Sequence, residues 1–253
     1  MILSSVKRTF QVLDVFTPSQ SELSLTEISG KLGSDKSSTS RILMTLASAG
    51  FLERNPMNRK YRLGWKLVDL GNRVLSRHND IRECASPFLE ELAQKITEIV
   101  HLSILDGNQI VYVEKKGEGQ TLTVATKIGG RSPAHSSAMG KVLLSGLSKN
   151  ELLERLGAGP LIRFTPNTIT EIPKLQKHLE EVRNQGFAID NEESFLGIKC
   201  VAAPIKNANG KIIAAVSASV PTQRMGRERL KEIRTHVLQT AHRISKKMNH
   251  SPC

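Results

Sequence analysis

Along the first 80 residues, apolar positions recur at helical intervals broken by short polar turns; from Ile81 onward, helical stretches alternate with period-two runs. Val6, Phe10, Leu13, Val15 and Phe16 predict a first helix over residues 5–16, closed by Pro18 and the polar run behind it. Leu25, Ile28 and Leu32 lie on one face of a second helix over residues 26–32, and Gly33 supplies the left-handed exit. Asp35 is placed to cap a third helix, because its carboxylate can accept the unbonded amides of the first turn. Within that helix Thr39, Ile42, Leu43 and Leu46 step at i, i+3, i+4 and i+7 and so face inward. Lys36, Ser37, Ser38, Ser40, Arg41 and Met44 form the opposite face. Two short strands follow, over residues 51–54 and 60–63, around a turn at residues 55–58. A further helix over residues 65–77 has a narrow apolar seam of Leu67, Gly71, Val74 and Leu75. In a linker, such an exposed seam finds a partner chain.

Helix, Gly turn, helix and basic hairpin, in that order, are the pattern of a winged helix-turn-helix, which inserts one helix into the major groove of DNA. Small hydroxyls beside Lys36 and Arg41 let that helix approach closely while cations meet phosphate or guanine edges. Arg54, Arg59, Lys60 and Arg62 make the hairpin a cationic wing suited to the phosphate backbone or minor groove. The expected division is a DNA-binding domain over 1–64, a linker helix over 65–79 and a second domain over 80–250.

In that second domain Phe88, Leu89, Leu92 and Ile96 mark a helix that Pro87 either begins or bends. Strands are predicted over 99–105 and 109–114, paired across Asp106-Gly107, with a third over 122–126. Helices over 139–145, 149–156 and 172–185 precede strands over 187–190, 199–205 and 211–220, the last two joined at Asn209-Gly210. This order argues for an α+β domain, one sheet with helices packed on it.

With 253 residues, 39% hydrophobic and 24% charged, the chain has the balance of a soluble globular protein, not a disordered one. Its formal charge of +12 favours a polyanionic partner, although the basic run between Arg224 and Lys247 reads as the solvated face of a C-terminal helix. Cys84, Cys200 and Cys253 are odd in number and far apart, which implies no disulfide framework and fits a reducing cytoplasm. The N-terminus lacks the order of a signal peptide, and no apolar stretch is long enough for a bilayer, so no membrane association is expected.

Three stretches make the chain resemble the IclR family of bacterial transcription regulators over nearly its full length. They are SSTSRILMTLASAGFLE in the third helix, GGRSPAHSSAMGKVLLS in mid-chain and GFAIDNEESFLGIKCVAAPIKNANGKIIAAVSASVP near the end. The resemblance implies an N-terminal winged helix-turn-helix on operator DNA, a linker helix, a C-terminal GAF-like domain that binds a small-molecule effector, and homodimers or dimers of dimers. It also implies a ligand pocket at Ser137, Ala138, Met139, Asp190, Cys200, Ser217 and Ser219. The chemistry is coherent: Ser217 and Ser219, two apart on a strand, offer hydroxyls to one face, and amides at a helix start near Ser137 favour a carboxylate-bearing metabolite. Alternating serines also suit a solvent face, Asp190 could contact ligand or cap the next turn, and Cys200 reads first as a small buried hydrophobe. Met139 adds bulk where relatives often carry a smaller residue.

Enzyme motifs are missing. There is no G-x-S-x-G elbow, no H-E-x-x-H and no paired C-x-x-C, so neither a catalytic residue nor a metal or cofactor is expected. Residues 135–141 come near a phosphate loop but lack its opening Gly and the Ser or Thr after Lys141. His101, His135 and His178 stand apart without metal-ligand spacing.

Overall fold

The structure, a computed structural model, describes residues 3–76, 79–117 and 126–250. The chain divides into two compact units, Met1–Arg77 and His78–Cys253.

The first unit runs α1 (Ser4–Asp14), α2 (Leu25–Leu32), α3 (Lys36–Ser48), β1 (Leu52–Arg54), β2 (Tyr61–Leu63) and α4 (Lys66–Ser76). The first helix stops two residues short of the expected end, where residues 17–20 form a tight turn through Pro18. A reciprocal capping box starts α2: Glu27 N donates to Ser24 Oγ at 3.3 Å and Ser24 N to Glu27 Oε2 at 2.7 Å. Gly33 ends it at φ 58°, and Asp35 Oδ1 caps α3 by accepting from Ser38 N at 2.7 Å. Val12, Ile28, Leu43, Leu46, Leu52 and Tyr61 form one small core. The antiparallel pair β1–β2 is widened by Leu23, whose backbone exchanges bonds of 2.9 and 2.8 Å with Tyr61. On α4 no residue is buried: along its apolar seam Gly71 and Val74 are exposed and Leu67 and Leu75 half-buried.

In the second unit, α5 (Asn79–Ile96) leads to β3 (Ile99–Asp106), β4 (Gln109–Lys116), β5 (Arg131–Pro133), α6 (Ala138–Ser145), α7 (Lys149–Leu156) and α8 (Ile172–Gln185). β6 (Ala188–Asn191), β7 (Ile198–Lys206), β8 (Ile212–Pro221) and α9 (Arg227–His250) complete it. Pro87 lies inside α5 and does not start it. Among the described residues six strands form an antiparallel sheet in the order β5-β4-β3-β8-β7-β6. The strand expected at 122–126 falls, apart from Thr126, outside the described residues; β5 is the edge strand beside β4.

Strand alternation gives the sheet two different faces. Leu102, Val201, Val216 and Val220 pack against α5 and α9, where Leu89, Ile96, Ile233 and Val237 complete an apolar core. The other face, with Tyr112, Ala202 and Ala215, meets α6 and α8 through Met139, Val142, Leu175 and Leu179. Among the described residues Cys200 is a free thiol.

Candidate nucleic-acid interface and ligand cavity

Capping by Asp35 and burial of Thr39, Leu43 and Leu46 fix how α3 is rotated, and that rotation decides which side chains reach outward. Lys36, Ser37, Arg41 and Met44 are exposed and Ser38 and Ser40 half-buried, all on the expected outer face. Thr45, also exposed there, escaped the sequence reading; its hydroxyl donates to the Arg41 carbonyl at 2.9 Å. Among the described residues Lys36, Arg41 and Arg59 form no ion pair. The rest of the wing is partly neutralised: Lys60 lies 3.6 Å from Glu27, and Arg62 lies 2.9 Å from Glu53 and 3.7 Å from Glu22. Arg54 stacks its guanidinium over Tyr61 at 5.6 Å. The four wing cations therefore differ in their surroundings, and Arg59, exposed and in the left-handed region at φ 58°, lies at the turn without an ion pair among the described residues.

In the second unit, all seven residues expected at a pocket line one cavity of about 30 Å³, together with Tyr112, Thr126, Ser132, Ser194, Phe195 and Ile198. Its floor is a polar row across the sheet, set by register: Ser219 opposes Cys200 and Cys200 opposes Asp190, while Ser217 pairs with His101 on the neighbouring strand. Ser137 caps α6 by accepting from Gly140 N at 3.1 Å, which leaves the first-turn amides of Ala138 and Met139 without a carbonyl inside the helix. Ser217 Oγ is buried and has no partner among the described residues. Cys200 is less a plain hydrophobe than the sequence implies: its thiol donates to Ser219 Oγ at 3.2 Å, and burial pushes its pKa up to about 12.

Asp190 lines the cavity and also caps a turn, accepting from Glu193 N at 2.6 Å and Ser194 N at 3.3 Å. Burial raises its carboxyl to about 6, against the two backbone bonds and Lys141, which favour the anion. Behind it, Lys141 is wholly buried; its ammonium donates to the Ile189 carbonyl at 2.6 Å and to Glu193 Oε1. That pair ties α6 to the loop after β6, which bears Ser194 and Phe195. His101 backs the other wall, with Nε2 2.7 Å from Thr126 Oγ1 and its ring 5.0 Å from Tyr112. Burial foremost, and Lys115 second, push His101 down to about 3, so the imidazole is neutral. Among the described residues no Lys, Arg or His lines the cavity itself. Among the described residues no cluster of His, Cys, Asp or Glu could hold a metal, and no helix is long and apolar enough to cross a membrane.

Two family models match this chain: the IclR helix-turn-helix domain over residues 5–56 and the bacterial transcriptional regulator IclR C-terminal domain over residues 73–246. The chain belongs to the IclR family. It is 39% identical to the HTH-type transcriptional regulator XynR of Escherichia coli over 98% of both chains. The crystal structure of the Thermotoga maritima IclR superposes with a TM-score of 0.80 at 33% identity, over 97% of this chain and 99% of that one. An IclR homolog from Microbacterium hydrocarbonoxydans, solved in complex with 4-hydroxybenzoate, gives 0.80 at 26% identity, over 98% of this chain and all of that one. The IclR-type architecture accounts for both units: a DNA-binding helix-turn-helix domain and a GAF-like α+β effector domain. The protein is a transcriptional regulator and not an enzyme.

Proposed function

We propose that the protein controls transcription by placing α3 in the major groove of an operator, where Lys36, Ser37, Ser38, Ser40, Arg41 and Met44 face base edges and phosphates. Arg59 leads the wing onto the adjacent backbone, with Arg54, Lys60 and Arg62 flanking it. The observation that supports this best is the pair of unneutralised cations, Lys36 and Arg41, among small hydroxyls on a capped and oriented helix. A small carboxylate-bearing metabolite enters the cavity, its charge on the Ala138 and Met139 amides and its remaining oxygens on Ser217, Ser219 and Asp190. Because the cavity holds about one water's volume, an effector of several heavy atoms moves the Ser194–Phe195 wall. Two copies pair through the apolar faces of α1 and α4, so effector binding alters the spacing of two reading helices. A coupling of about 1–3 kcal/mol changes operator affinity about 5–150-fold. The working compartment is the cytoplasm, where DNA and metabolite meet.

Footprinting on genomic fragments, with and without a panel of small organic acids, tests the reading. The expected result is a protected site whose occupancy one acid changes, and loss of that response but not of protection in a Ser217→Val, Ser219→Val variant. Absence of any protected site, with or without acids, overturns it.

A further inference from the structure

The wing loop between Arg54 and Tyr61 is held from outside by one residue that the sequence reading passed over. Glu22 Oε1 accepts from Asn55 Nδ2 at 3.2 Å, and Glu22 Oε2 accepts from Asn58 Nδ2 at 2.9 Å. A carboxylate only accepts and an amide nitrogen only donates, so these bonds dictate which way both amides are turned. The opposite ends of the same amides then do the work in the loop. Asn55 Oδ1 accepts from Met57 N at 2.9 Å, and Asn58 Oδ1 accepts from Lys60 N at 2.9 Å. Between those two turns Arg59 N donates to the Asn55 carbonyl at 2.9 Å, with Arg59 left-handed at φ 58°. Glu22 itself is anchored, because the next residue, Leu23, is bonded through its backbone to Tyr61.

We propose that Glu22 is the positioning residue of the wing: by orienting Asn55 and Asn58 it holds the strained tip that presents Arg59 to DNA. The proposal rests on the reading that the wing tip meets the phosphate backbone. The bonds from Asn58 and Asn55 also keep Glu22 below the usual carboxylate range, consistent with an ionised clamp. A role in charge alone predicts the opposite behaviour. Glu22 lies 3.7 Å from Arg62, so as a mere anion beside a DNA-facing cation it would weaken binding, and its removal would strengthen it.

The sign of the effect decides. The probe is a duplex recovered with the wild-type protein from random-sequence DNA, titrated by fluorescence anisotropy between about 50 and 200 mM KCl. Glu22→Ala is expected to weaken binding about tenfold and to lower the salt slope by about one, as Arg59→Ala does. In the Arg59→Ala background, Glu22→Ala should change affinity less than about twofold, because the two act through one tip. Tighter binding with a steeper slope, or losses that simply add, would overturn the proposal. Amide hydrogen exchange gives a reading without DNA: in Glu22→Ala the Met57 and Lys60 amides should exchange faster while those of Leu23 and Tyr61 stay protected. Unchanged exchange at Met57 and Lys60 refutes the clamp outright. If Arg59→Ala alone leaves affinity and slope intact, it is the wing-contact reading that fails.

Discussion

Asp190 holds a turn with one oxygen and lines the cavity, and burial disfavours its ionised form. A carboxyl raised from 3.8 to about 6 stabilises the fold fully below its unfolded value and loses that contribution as pH rises through 6. The full difference is about 3 kcal/mol. Asp190→Asn, which cannot ionise, should therefore gain stability relative to wild type between pH 4.5 and 7.5, by about 2 kcal/mol, because about a third of the loss has already occurred at pH 4.5. Urea unfolding at both values checks this, and an equal difference at the two pH values would count against it. Of the two alternatives that the sequence left open for Asp190, ligand contact and turn cap, the structure realises the turn cap, and the residue also lines the cavity. His101 was legible only as an isolated histidine; its place behind the cavity depends on its pairing with Ser217 across strands far apart in the chain.

At the scale of elements, the helices and hairpin of the first unit were readable almost to the residue, since their signals are local: a cap, a glycine exit, a period of 3.6. The cavity was half readable. Ser217 and Ser219 follow from alternation along one strand, but Tyr112, Thr126, Ser132 and Ser194 join them only through sheet register and loop packing. Residues 135–141, which superficially approach a phosphate loop, serve another purpose. A Cβ on Gly140 would lie 2.1 Å from the Ala134 carbonyl oxygen and 2.3 Å from its Cα, so α6 folds directly back on the strand exit that leads into it. Both obstructing atoms are backbone, and neither can swing aside. Gly140→Ala should displace Ser137 and its cap, costing about 1–3 kcal/mol of stability and abolishing the response to effector in DNA binding. Wild-type thermal unfolding and effector response in this variant would remove the argument.

For the whole molecule, the apolar surface left over is as informative as the surface used. On α1, Leu3, Val6 and Phe10 are exposed; beside the start of α4, Trp65 is 76% exposed, and on α4 so are Val68 and Val74. Burying such faces against a second copy is worth about 25 cal/mol per Å². Phe10→Asp combined with Val74→Asp should therefore convert dimers to monomers in sedimentation velocity and reduce operator affinity more than nonspecific affinity; an unchanged sedimentation coefficient would rule that surface out. The lining of the proposed effector cavity bears on the charge of its guest. Lys141, behind the cavity, is already committed to Glu193, and among the described residues no Lys or Arg lines the cavity. A guest with one negative charge, held by the Ala138 and Met139 amides, is therefore expected to bind more tightly than a doubly charged one.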